Sequence, residues 1–145
     1  MAVLIDTNIL LRLAQPHHPS APIAVRALRL LREANETLHL TQQNLVEFWA
    51  VTTRPIEANG LGCTTQQAAA ESRTLRRLFA LLPELPLQDE WERIVTQYLV
   101  SGKSVHDARL VAAMTVHGID SILTFNTHDF LRYTEIQVID PANSL

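Results

Sequence analysis

Short continuous apolar runs alternate along this chain with longer segments of helical spacing. Val3–Ile5, Thr37–Leu40, Leu85–Leu87, Ser121–Phe125 and Gln137–Ile139 are each closed by polar or breaker residues and predict five strands. Ala24–Leu31 sets Val25, Leu28 and Leu31 opposite Arg26, Arg29 and Arg32, which predicts a surface helix. Gln66–Leu82 repeats the pattern, with Leu75, Leu78, Phe79 and Leu82 against Arg73, Arg76 and Arg77. Trp91–Val100 and Asp107–His117 predict two more helices, the second closed by Gly118 at the position glycine favours after a helix. Strands separated by helical crossovers predict an α/β fold: a parallel sheet of about five strands, helices on both faces and right-handed connections. In such a sheet the ligand site lies at the carboxyl ends of the strands.

The length of 145 residues suits one domain, 1–145, with one core and no linker. "PHHPSAP", from Pro16 to Pro22, reads as a local loop. With 47% hydrophobic and 19% charged residues the composition is that of an ordinary globular protein. No apolar run approaches the roughly 18 residues that span a bilayer, and the first residues lack the pattern of a signal peptide. A cytoplasmic protein without membrane contact is therefore expected. Cys63 stands alone, so neither an internal disulfide nor a multi-cysteine zinc site can form. The net charge of −3 argues against nucleic-acid binding by bulk electrostatics, so any such chemistry needs local arginines or bound cations.

Most of the fifteen acids fall on polar helix faces or in loops, but four call for more explanation. Asp6 ends a run that reads as a buried strand, where it is either a turn or cap residue feeding Asn8–Leu13 or the first piece of a site. Glu47 lies in "NLVEFWAV", with Leu45, Phe48 and Trp49 on one side and Ala50 and Val51 on its flanks. A helix apolar all round is buried, and a carboxylate there needs a metal or a partner such as an arginine. Asp107 follows Ser104 at capping-box spacing, and Asp129 follows Asn126 in the same way. Together, however, the four acids fall where strands end or helices begin and can converge on one edge. Carboxylates about 4 Å apart repel by roughly 4 kcal/mol at an effective dielectric near 20, so such a cluster needs protons or cations. Hard oxygen ligands suit magnesium or manganese, whose natural chemistry here is phosphodiester hydrolysis through an activated water. His106 and His128 each precede one of these acids, but hydrolytic zinc sites usually show several histidines, which makes zinc the weaker reading.

Four stretches, "LIDTNILLRL", "QNLVEFWAV", "HDARLVAAM" and "ILTFNTHDF", resemble the PIN-domain ribonucleases, in particular the VapC-type toxins of toxin–antitoxin pairs, over nearly the whole chain. The resemblance implies a metal-dependent endoribonuclease with a catalytic quartet Asp6, Glu47, Asp107 and Asp129. It implies Mg2+ (or Mn2+) held by Asp6, Asp107 and Asp129, with Asn8, Thr124 and Asn126 as supporting polar residues. Some relatives carry an acid at the position of Asn126 and others at that of Asp129, which leaves open which of the two faces the metal. The partners implied are RNA, a cognate antitoxin protein and a second copy of the chain, the homodimer face drawing on Leu75, Leu78 and Phe79 if these do not belong to the core. Arg12 and Arg109, close to the acids in sequence, are candidates for substrate contact or for neutralising the cluster, whereas the two arginine rows read as solvated helix faces. Two other functions compete: an aspartyl-phosphate phosphatase using Asp6 as nucleophile, weakened by Asn8 where such enzymes carry a second acid, and a PIN-like module that binds a protein without catalysis, weakened by the acids at all four positions.

Overall fold

A computed structural model describes residues 1–143. It contains, in order, β1 (Ala2–Ile5), α1 (Thr7–Leu13), α2 (Ala21–Glu33), β2 (Thr37–Leu40), α3 (Gln42–Thr53), α4 (Thr65–Leu78), β3 (Ala80–Leu81), α5 (Gln88–Gln97), α6 (Val105–His117), β4 (Ser121–Leu123) and β5 (Gln137–Ile139). The strands form one sheet in the order β3-β2-β1-β4-β5, every pair parallel. Connections from β1 run one way across the sheet to β2 and β3, and from β4 the other way to β5. The direction therefore reverses between β1 and β4, and a crevice opens beyond their carboxyl ends.

Side chains alternate faces along a strand, and here the alternation divides the core. Val3 and Ile5 of β1 and Leu123 of β4 pack with Ile9, Leu10, Leu28, Phe48 and Leu75 from α1 to α4. Leu4 and Ile122 point the other way, onto Ile94 of α5 and Leu110, Val111 and Met114 of α6. The central strands are thus covered twice, which is why they read as continuous apolar runs. Gly118 closes α6 at φ 70°, a left-handed turn in which a side chain would be strained.

The third strand lies at Ala80–Leu81 and not at Leu85–Leu87. Proline lacks the N–H a ladder needs, and Pro86 makes the expected run a loop, while the chain turns extended at Phe79, which ends α4 at φ −129°, ψ 151°. The helix expected to reach Leu82 therefore stops at Leu78, and β4 stops at Leu123 rather than Phe125. Val25 is 53% exposed, because α2 buries Ala21, Ala24, Ala27, Leu28 and Leu31 instead. Of the three residues considered for a dimer face, Leu75 and Phe79 are buried within the chain and Leu78 is exposed. Among the described residues no helix is long and apolar enough to cross a membrane.

Candidate active site

β1 delivers Asp6 to the crevice. Its carboxylate is buried and caps α1, Oδ1 accepting from Thr7 N–H at 2.8 Å, so the cap role holds for a side chain that also lines the cleft. Oδ2 accepts from the buried Thr124 hydroxyl at 2.7 Å and from Asn8 Nδ2 at 3.2 Å. Asn8 Nδ2 also donates to Thr124 Oγ1 at 3.1 Å, and Asn8 Oδ1 accepts from Phe125 N–H at 3.1 Å. Asn8 and Thr124 therefore stitch the ends of β1 and β4 together behind the carboxylate. Burial pushes the Asp6 carboxyl up to about 6; the bonds from Thr124 and Thr7 pull against that rise, and the charges of Asp107 and Glu47 add to it.

α3 begins where Thr41 and Asn44 form a reciprocal capping box, and this sets Glu47 facing the same crevice. The helix is not apolar all round in its surroundings: Val46 is 69% and Trp49 37% exposed, and only one face, with Phe48 at its centre, is buried. Glu47 is half-buried and is held by neutral groups in place of the arginine that its sequence context suggested. Its Oε2 accepts from the Thr7 hydroxyl and its Oε1 from Gln43 Nε2, both at 2.9 Å. Neutral donors leave its charge available to an ion.

Asp107 sits in the first turn of α6, facing the crevice. Ser104 makes no cap hydrogen bond through its side chain, so the capping box suggested by spacing is absent. Burial again comes first in raising its carboxyl to about 6, followed by the charges of Asp129 and Glu47, with His106 and Arg132 opposing. Asp6, Glu47 and Asp107 thus line one cleft of about 350 Å³ with Thr7, Asn8 and Asn126. Asn126 lines the cleft itself, whereas Asp129 is exposed on the single turn Thr127–Phe130 and acts on Asp107 from beside it.

Arg109 does not reach this cleft. Its guanidinium donates to Gln43 Oε1 at 3.0 Å and pairs with Glu84 at 3.3 Å on the far side of Gln43. Arg12 donates to Gln15, one turn along. The cation in the cleft wall is Arg54, at the end of α3, where Gly60 packs so closely that an added Cβ would lie 2.0 Å from the Arg54 carbonyl oxygen. Gly60→Ala is expected to displace this turn and to cost about 1–3 kcal/mol, the usual penalty for backbone strain, seen as a melting temperature lower by roughly 3–10 °C. A melting temperature within 1 °C of wild type would show that the turn yields freely.

Thr7, Gln43, Asn44 and Arg54 belong to the site although the sequence pattern did not single them out. Asn44 is fully buried and donates from Nδ2 to Thr7 Oγ1 at 3.2 Å, which in turn orients Glu47. A polar run, "TQQN", immediately before the glutamate's own apolar stretch was the available signal.

The donor set suits a hard divalent cation, since it consists of carboxylate and amide oxygens. Among the described residues no three Asp, Glu, His or Cys side chains are gathered closely enough to enclose an ion. Magnesium requires no such cage, since it is usually held by one or two carboxylates and keeps several waters. A structural or hydrolytic zinc site needs at least three protein ligands, and His106 and His128 are both exposed.

A doubly wound parallel sheet with acids at its switch point defines a class, and comparison with known proteins identifies it. The PIN domain matches residues 3–136, and the chain belongs to the PIN-domain family. It is 30% identical over 147 aligned residues to Ribonuclease VapC24 of Mycobacterium tuberculosis, with 97% of each chain covered. Its fold is similar to VapBC2 of Rickettsia felis bound to a promoter DNA fragment (TM-score 0.73, 14% identity, 96% of this chain and 98% of that one). It is also similar to VapBC-1 of nontypeable Haemophilus influenzae (TM-score 0.69, 15% identity, 99% and 100%).

Proposed function

We propose that this chain is a metal-dependent endoribonuclease and the toxin of a toxin–antitoxin pair. The observation that carries the chemistry is the convergence of Asp6, Glu47 and Asp107 on one cleft, with Arg54 as the cation in its wall. Full-length likeness to a protein named as a ribonuclease supports RNA as the substrate, and likeness to VapBC proteins supports a cognate antitoxin as partner. The proposed quartet is Asp6, Glu47, Asp107 and Asp129.

In this reading Asp6 and Asp107 would hold Mg2+, or Mn2+, with Asp129, whose charge acts on Asp107, as the further carboxylate. When bound, the ion supplies a water activated for attack on phosphorus and offsets charge on the leaving oxygen. Thr124 and Asn8 fix the rotamer of Asp6 toward it. Glu47, held at two oxygens by Thr7 and Gln43, is placed to accept a proton from an attacking water. Asn126 offers an amide to the phosphate, and Arg54 a charge-assisted contact. A homodimer accords with the exposed apolar face of α3 at Val46 and Trp49.

Incubating total cellular RNA with purified protein in Mg2+, in Mn2+ and in chelator tests the proposal, with an Asp107→Asn preparation alongside to expose contaminating nuclease. Discrete fragments from wild type alone, lost in chelator, are expected. Fragments from both proteins, or from neither, would overturn the ribonuclease reading.

A further inference from the structure

A second cavity, of about 540 Å³, lies behind the first turn of α6, between that turn, the loop after β3 and α5. Leu85, Leu87 and Trp91 supply its apolar wall, and His106 and Arg109 its polar rim. Its volume is within the range that takes small organic ligands. Trp91 is held rigidly, because its indole N–H donates to the Val105 carbonyl at 2.8 Å, so the ring meets a ligand in one orientation.

The cavity is joined to the acids by one side chain. Gln43 Nε2 donates to Glu47 Oε1 and to the His106 carbonyl, both at 2.9 Å, while Gln43 Oε1 accepts from Arg109 at 3.0 Å. A ligand that touches Glu47 and continues over Gln43 arrives at the rim formed by His106 and Arg109. Single-stranded RNA alternates a charged phosphate with a planar, largely apolar base. The acidic cleft with its ion suits the first part, and a fixed aromatic wall beside an arginine suits the second. At a net charge of −3 the protein has no bulk attraction for RNA, so affinity has to come from local contacts of this kind.

We propose that this cavity is a nucleobase subsite, taking a base of the RNA strand whose phosphate lies at the acids. The inference rests on the ribonuclease reading and adds a place where base identity or stacking selects the cleavage position.

The chain has two tryptophans, so Trp49→Phe leaves the Trp91 indole N–H as the one such NMR resonance. This protein is titrated in Mg2+ with the four nucleoside 5′-monophosphates, which contain no phosphodiester to cut, and with ribose 5-phosphate as a control without a base. A saturable shift of the Trp91 resonance with at least one nucleotide and none with ribose phosphate is expected. Leu85→Glu, at the exposed edge of the apolar wall, should weaken that binding by at least about fivefold, because a charged side chain there opposes burial of a base. It should raise KM for RNA cleavage more than it lowers kcat, with the Mg2+-induced rise in melting temperature unchanged. Cleavage of RNA by wild type without any nucleotide shift at Trp91 would overturn the subsite and leave the ribonuclease reading standing. A nucleotide shift without cleavage would support the subsite and count against the nuclease. An equal shift with ribose phosphate, or a Trp91 shift produced only by a protein partner, would also overturn it.

Discussion

Asp107→Asn is expected to lower RNA cleavage at least about a hundredfold, since losing even an outer partner of a metal ligand costs roughly 10–100-fold. The same substitution should raise the melting temperature in chelator near neutral pH. Burial raises the half-buried Asp107 carboxyl most, the charges of Asp129 and Glu47 raise it further, and the amide removes both costs while nearly preserving shape. Wild type should also gain stability from magnesium, by about 2.7 kcal/mol at a concentration a hundred times the Kd. The mutant should lose most of that gain. This combination of a more stable protein without ion, a weaker response to ion and no cleavage distinguishes a ligand from a fold residue, whose loss would lower stability throughout. Activity within threefold of wild type together with an unaltered magnesium response would remove Asp107 from the site.

The second large effect concerns pH. Asp6 titrates at about 6 in the folded protein against an ordinary value of 3.8, so between these values the native state binds more proton than the unfolded chain. Stability rises with pH where the unfolded state binds more protons; here the inequality is reversed. The contribution of Asp6 is therefore fully present below about 3.8 and is lost as pH rises through about 6. At about 1.36 kcal/mol per pH unit the loss is on the order of 3 kcal/mol, or roughly 6–12 °C in melting temperature for a chain of this size. Asp107, raised by burial first and then by its acidic neighbours, runs the same way, whereas Glu135, held low by Tyr98 and Arg93, runs the opposite way. The measurement is therefore the difference between Asp6→Asn and wild type in chelator. That difference should shift in favour of the mutant by this amount between pH 4 and pH 7, and saturating Mg2+ should shrink it. A difference that stays flat over this range would mean that burial does not raise Asp6.

The same network explains why the site is only partly legible in the sequence. Asp6, Asp107 and Glu47 are visible because each interrupts an apolar pattern or sits at its boundary, and such placement needs a reason. Thr7, Gln43 and Asn44 interrupt nothing, as threonine, glutamine and asparagine are ordinary at the start of a helix. Their importance comes from partners such as Glu47, 40 positions from Thr7, and the His106 carbonyl, 63 from Gln43. Arg109 shows the opposite error, since proximity to Asp107 in sequence suggested the cleft. Two residues along a helix are turned about 200° around its axis, and the arginine is carried to the other side of Gln43.

Element order, the parallel arrangement and the end of the sheet that carries the acids were determined by the sequence alone. Hydrophobic periodicity reports local geometry, and alternation of strand with helix leaves few right-handed ways to connect a sheet. The third strand lay beyond that information. A two-residue ladder at Ala80–Leu81 is stabilised by its pairing with His39 and Leu40 and has no periodicity to announce it. Tertiary structure alone decided which face of α3 is exposed, how Asp6 is bonded to Thr124 across 118 positions, and whether Asn126 or Asp129 lines the cleft. Those outcomes depend on burial and on contacts between distant segments, which exist only once the chain has closed on itself.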